Sequence, residues 1–145
     1  MTVHRMDHVG VIVDDLAAAI AFFAALGLEE AGAGTVEGRA VDRIVGLEGV
    51  VSDFAFMQTP DGRGRLELIR FRSPAPEDGD PRAPANTPGL RHLAFAVDDI
   101  HAALGRLQDH GGELVGEVVN YGDSYWLCYV RGPEGIIVEL AEKIG

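Results

Sequence analysis

Asp7-His8-Val9-Gly10-Val11-Ile12-Val13-Asp14-Asp15-Leu16 returns 84 residues later as Arg91-His92-Leu93-Ala94-Phe95-Ala96-Val97-Asp98-Asp99-Ile100. The same offset lays Ala18 and Ala19 on Ala102 and Ala103, Ile20 on Leu104, Phe23 on Leu107, Gly27 on Gly111 and Glu29 on Glu113. Each copy then closes on a turn and a strand. Pro60-Asp61-Gly62 leads into Leu66-Glu67-Leu68, and Pro133-Glu134-Gly135 leads into Val138-Glu139-Leu140. The chain is therefore a tandem repeat, and each copy carries one histidine and one glutamate at matching places. Two imidazoles and two carboxylates are a complete donor set for a divalent metal ion.

Working outward, residues 6–13 are short and rich in Val and Ile, which predicts a strand. Asp14 or Asp15 caps the helix that follows, and Leu16, Ile20 and Phe23 give it one apolar face before Gly27 ends it. Residues 28–49 carry no clear period. Gly32, Gly34 and Gly38 suit a loop or an edge strand, and residues 41–47 suit a short helix or strand. A strand at 50–59, a turn at 60–64 and an antiparallel partner at 65–71 complete the copy. The second copy predicts a strand at 90–97, a helix at 99–110, and strands near 113–119, 125–131 and 136–142. His110 falls at a helix end, His101 on the surface of that helix, and His4 has no repeat partner. The fold class expected is α+β: two tandem βαβββ modules, 1–72 and 90–145, whose curved mixed sheets form a cleft. Residues 73–89 hold five of the seven prolines and read as an extended linker.

The net charge of −11 leaves no basic stripe to neutralise phosphates, which argues against nucleic acid and against an anionic membrane surface. Arg63, Arg65, Arg70 and Arg72 still offer a local positive pocket. The single cysteine, Cys128, forbids an internal disulfide and falls in an apolar strand pattern, where it reads as a small core residue. With no signal-peptide or membrane-span pattern in view, the expected location is the cytoplasm.

Side chains along a strand alternate faces. His8 therefore shares a face with Gly10 and Ile12, opposite Val9, Val11 and Val13; His92 shares one with Ala94 and Ala96, opposite Leu93, Phe95 and Val97. The bulky face packs on a helix, and the small face leaves room for something other than protein. Glu67 and Glu139 each stand opposite two flanking apolar neighbours in the same way. Taken singly, each residue is better explained by a packed core histidine or a solvated glutamate. Taken together they favour a metal, because a carboxylate held among apolar strands needs a cation. Phe54, Phe56, Tyr121, Tyr125, Trp126 and Tyr129 supply aromatic surface, and alternation separates Tyr125 and Tyr129 from Trp126 and Cys128.

These residues, from His8-Val9-Gly10 with Asp15-Leu16 to Pro133-Glu134-Gly135 with Val138-Glu139-Leu140, resemble the vicinal oxygen chelate superfamily over essentially the whole chain. That superfamily of paired βαβββ modules includes glyoxalase I, methylmalonyl-CoA epimerase, extradiol dioxygenases, and fosfomycin- and bleomycin-resistance proteins. The resemblance implies that His8, Glu67, His92 and Glu139 are ligands of a divalent ion (Ni, Co, Zn, Mn or Fe), a set most similar to glyoxalase I. It further implies a lyase or isomerase acting by proton transfer α to a carbonyl, with Glu139, or else Glu67, as the base. Glutathione-using members carry an Arg after the first ligand and an Asn after the second; here residues 9–13 hold no Arg and residues 68–72 hold no Asn. A drug-sequestering protein of the bleomycin-resistance type is the alternative, and an extradiol dioxygenase a weaker one. A homodimer and a small-molecule substrate are implied as partners, with the cleft formed within one chain or across two.

Overall fold

In a computed structural model, residues 2–145 are described, and they form two compact units, 1–78 and 79–145. The first runs β1 (Val9–Ile12), α1 (Leu16–Leu26), β2 (Glu29–Glu37), α2 (Arg39–Val45), β3 (Val51–Gln58) and β4 (Arg65–Ser73). The second runs β5 (His92–Ala96), α3 (Ile100–Gln108), β6 (Glu113–Leu114), β7 (Val119–Tyr121), β8 (Tyr125–Arg131) and β9 (Ile137–Lys143), with a single 3₁₀ turn, Pro133–Gly135, before the last strand. The α+β class and the repeated strand–helix–strands order stand as expected.

In the first unit the sheet order is β1-β4-β3-β2, with β1 and β4 parallel and the rest antiparallel. The second unit repeats it as β5-β9-β8-β6, with β7 also on β8. The parallel pairing matters most here. It sets Gly10 opposite Glu67 and Ala94 opposite Glu139, so the first and last strands of each unit, far apart in sequence, are direct neighbours. A one-residue slip would turn each glutamate to the other face, into the core.

The helices form for matching reasons. Asp15 accepts the Ala18 amide at 3.0 Å and Asp99 accepts the Ala102 amide at 3.0 Å, so both first turns are capped by the same repeated residue. Gly27 takes the left-handed conformation that ends α1. Ile100, Ala103, Leu104 and Leu107 are buried at helical spacing. The face of α1 differs from expectation: the buried stripe is Ala19, Phe22, Phe23 and Leu26, with Leu16 and Ile20 only half-buried. Leu16-Ala-Ala-Ala-Ile-Ala-Phe-Phe-Ala-Ala-Leu26 is apolar all round, so its period did not single out a side. Beneath the helices lie Ala55, Met57, Leu66 and Leu68 in one unit and Cys128, Val130, Val138 and Leu140 in the other.

Residues 28–49 resolve into the nine-residue strand β2 and the short helix α2. The region expected as one strand near 113–119 is instead two short strands, β6 and β7. No described helix is long and apolar enough to cross a membrane.

Candidate metal centre

Each unit brings its own histidine and glutamate together. His8 Nε2 lies 3.3 Å from Glu67 Oε1, and His92 Nε2 lies 3.2 Å from Glu139 Oε1. All four side chains are between a fifth and two-fifths exposed, so they stand on an open sheet face and are not packed core groups. The structure gathers the four as two pairs, one per unit. Among the described residues, no set of three or more His, Cys, Asp or Glu side chains is assembled to hold a metal ion.

The support behind each histidine differs. His8 Nδ1 is 2.7 Å from Asp7 Oδ2, and Asp7 in turn accepts from Arg5 at 3.0 Å. A carboxylate can only accept, so Nδ1 donates, which leaves Nε2, the atom facing Glu67, as the nitrogen free to ligate. The hydrogen bond with His8, helped by the charge of Arg5, holds the Asp7 carboxyl below the usual aspartate range. His92 has no such partner. Its Nδ1 is 3.4 Å from the Tyr129 hydroxyl, and the Tyr129 ring lies tilted against the imidazole at 4.9 Å. Arg91, which replaces Asp7 in the repeat, turns back to the Leu90 carbonyl.

The donor chemistry fits a metal ion. Each pair sets a ring nitrogen beside a carboxylate oxygen, and both are donor atoms that a divalent cation takes. Adjacent ligands on an ion with bonds near 2.1 Å sit about 2.9–3.4 Å apart, and both pairs fall in that interval. The Asp–His arrangement is also the usual outer support of a ligating imidazole.

Aromatic rings flank both pairs. Phe56 stands across from Glu67, and its ring meets His8 edge-on at 5.4 Å; Phe54 follows at 5.7 Å from Phe56. Tyr129 stands across from Glu139 in the equivalent register. This settles the faces of β8: Tyr129 belongs to the histidine side, whereas Cys128 is in the core, where burial pushes its thiol upward. Trp126 lies beside His101, with ring centroids 6.2 Å apart. His110 Nδ1 is 3.1 Å from the Arg106 carbonyl oxygen, as a helix-end residue would be.

The expected pocket of four arginines is not one pocket. Arg72 grips Asp53 through two bonds of 2.8 and 2.7 Å, Arg70 stands 3.8 Å from the same carboxylate, and Thr35 donates to it at 2.6 Å. Arg72 and Thr35 together hold Asp53 below the usual aspartate range. Alternation sends Arg70 and Arg72 to the face opposite Glu67, while Arg65 stays with Glu67.

A duplicated His–Glu pair on a βαβββ unit prompts comparison with known proteins. The family model described as the glyoxalase/bleomycin resistance protein/dioxygenase superfamily matches residues 7–129. The chain belongs to this superfamily. Its members include a glyoxalase family protein from Bacillus cereus, whose crystal structure superposes with a TM-score of 0.96 at 45% identity, covering 100% of this chain and 97% of that one. YwbC of Bacillus subtilis is 27% identical over 96% of this chain and 98% of its own length. The fosfomycin resistance protein FosX of Listeria monocytogenes shares the fold, with a TM-score of 0.62 at 18% identity over 96% of this chain and 93% of its own.

Asp7 and Arg65 are the residues near the pair to which sequence reasoning gave no role. Asp7 precedes the first strand residue, Val9, so strand alternation said nothing about its side chain. Its signal was adjacency to a candidate ligand. Arg65 was visible only as one of four neighbouring arginines.

Proposed function

We propose that this superfamily member is a metal-dependent, glyoxalase-like lyase or isomerase, with His8, Glu67, His92 and Glu139 as ligands of a divalent ion in a cleft formed within one chain or across two. The observation that carries this reading is the recurrence of an Nε2–carboxylate pair, at 3.3 and 3.2 Å, in both units. When bound, a divalent ion supplies Lewis-acid polarisation of neighbouring substrate oxygens. The chain supplies the proton transfer. A glutamate carboxylate takes the proton from the carbon next to a carbonyl and returns it elsewhere on the same molecule, which is isomerisation or epimerisation.

We assign that role to Glu139. His8 is braced by Asp7 at 2.7 Å, whereas His92 has only the Tyr129 hydroxyl at 3.4 Å, so the second pair is the one with freedom to adjust. Glu67 then remains the fixed carboxylate. Glutathione is not the expected thiol, given the residues that follow the ligands. The substrate is a small molecule with adjacent oxygens.

A second reading rests on Phe54, Phe56 and Tyr129, which border the pairs and suit stacking on a planar ligand, as in a sequestering protein. Elemental analysis separates the two. Purified protein should carry near-stoichiometric Ni, Co, Zn, Mn or Fe, and the Glu67→Ala and Glu139→Ala variants should lose it. Protein that holds no metal and takes up none on titration sinks the enzyme reading and leaves sequestration.

A further inference from the structure

Arg65 opens β4 on the same face as Glu67, one strand repeat away, or about 7 Å along the backbone. Its guanidinium carbon lies 4.4 Å above the centre of the Phe56 ring, and that ring is the one whose edge meets His8. Arg65, Phe56, His8 and Glu67 thus form one continuous surface. The other arginines with a defined charge partner are accounted for. Arg5 pairs with Asp7, Arg70 and Arg72 with Asp53, and Arg82 with Glu113. Among the described residues no carboxylate lies within ion-pair distance of Arg65, and its Nε is buried without a hydrogen-bond partner. Asp7 feels the charge of Arg65 from farther off, but in a chain of net charge −11 a half-buried cation with no carboxylate at ion-pair distance needs a reason.

The repeat sharpens the point. The residue equivalent to Arg65 in the second unit is Ile137, which is 2% exposed. The cation is therefore a feature of one unit only and not a requirement of the scaffold. With one face of the guanidinium taken by Phe56 and Nε buried, the Nη1–Nη2 edge is what remains. That edge matches a carboxylate held by two parallel hydrogen bonds.

We propose that Arg65 binds a carboxylate of the substrate, so that the substrate class is a hydroxy or oxo acid carrying a second, distal carboxylate a short chain away from its chelating oxygens. The assignment rests on the metal reading above. Phe56 fixes the cation by stacking, and the distance along β4 sets how far the distal group stands from the Glu67 end.

The test compares malate with α-hydroxybutyrate, which share a carbon skeleton and a chelating α-hydroxy acid but differ in the distal carboxylate. Protein is titrated in turn with Ni²⁺, Co²⁺, Zn²⁺ and Mn²⁺, and calorimetry on the loaded form measures both acids. Wild type should prefer malate by about ten- to a hundredfold, the range for a charge-assisted hydrogen-bonded pair. Arg65→Met, which keeps an apolar stem over Phe56, should bind metal equally well and lose that preference. Arg65→Lys should keep part of it, and Arg63→Met in the exposed turn should keep all of it. Equal binding of the two acids by metal-loaded wild type, or an undiminished preference in Arg65→Met, overturns the assignment and leaves the metal reading standing. Wild type that binds none of these four ions, nor Fe²⁺ under anaerobic titration, overturns both.

Discussion

The two units share a plan and differ at the histidine. In the first, the imidazole is backed by Asp7 and Arg5, edged by Phe56, and accompanied by the stacked cation of Arg65. In the second, the same imidazole has a tyrosine behind it and an isoleucine where the cation was. Duplication supplies a histidine and a glutamate twice, and the surroundings of each pair differ. On the proposed reading, the copy whose imidazole is braced carries the charge that reads substrate, and the copy with the weaker brace moves the proton.

The largest expected effect breaks that division directly. Glu139→Gln should slow exchange of the α-proton for solvent deuterium by about 10²–10⁴-fold, the usual contribution of a positioned base. Glu67→Gln should fall mainly in metal affinity. Equal loss of exchange in both variants, at saturating metal, would show that the units are not functionally distinct.

Next is the support behind each imidazole. Asp7→Asn should weaken metal binding by about 10–100-fold, the typical penalty for losing a carboxylate behind a ligating histidine. Tyr129→Phe should change it by less, because the hydroxyl lies 3.4 Å away and holds the ring weakly. Competition with a chelator measures both, and a larger loss for Tyr129→Phe would reverse the comparison.

A third contrast concerns the repeated turn. Gly62 and Gly135 occupy equivalent places with φ of 73° and 88°, but a methyl group at Gly62 meets nothing within 4 Å, whereas at Gly135 it would overlap the Pro81 backbone. Gly62→Ala should cost about 1–2 kcal/mol, the strain of a left-handed backbone alone. Gly135→Ala adds overpacking to that strain and should cost about 2–5 kcal/mol. The close approach has a cause on the other side: the Arg131 guanidinium donates to the carbonyls of Pro81, Ala83 and Gly135, tying residues 81–83 to the hairpin, with Ala83 7% exposed. Denaturant melts of the two variants should separate them clearly.

The smallest effect is an acid one. Asp53 is held below the usual aspartate pKa by its hydrogen bonds with Arg72 and Thr35, so its contribution is present above pH 3.8 and is lost as pH falls through the depressed value. Asp53→Asn should flatten the pH dependence of stability in that acid window and change neutral-pH stability little, since the Arg70 and Arg72 side chains are about half exposed. A pH series of thermal melts checks this.

How much of this could be read from the chain alone follows from where side chains were constrained. Glu67, His92 and Glu139 lie on strands that alternate because one face is the more buried, His8 immediately precedes β1, and the repeat supported each copy by the other. The segment from 28 to 49 gave no period because β2 is exposed along nearly its whole length, so neither face selects apolar residues. The face of α1 was obscured by an almost uniformly apolar sequence. The topology fixes the β1–β4 and β5–β9 adjacency that pairs each His with its Glu; from the chain alone only the face of each residue was legible, through alternation. The Asp7 contact was not, because it lies outside the strand, and neither was the separation of Arg65 from Arg70 and Arg72, which depends on which arginines find Asp53.

The order β1-β4-β3-β2 has one more consequence. The ligand-bearing strands are adjacent at one side of the sheet, while β2, the strand followed by α2, forms the opposite edge. Length can therefore be added or removed between 29 and 49 without threading through the ladder that spaces His8 from Glu67. The first copy has already used this freedom, spanning 59 residues from histidine to glutamate against 47 in the second. For an engineer, that edge is the place to graft foreign segments and redirect binding, because the donor atoms are anchored at the far margin and keep their spacing.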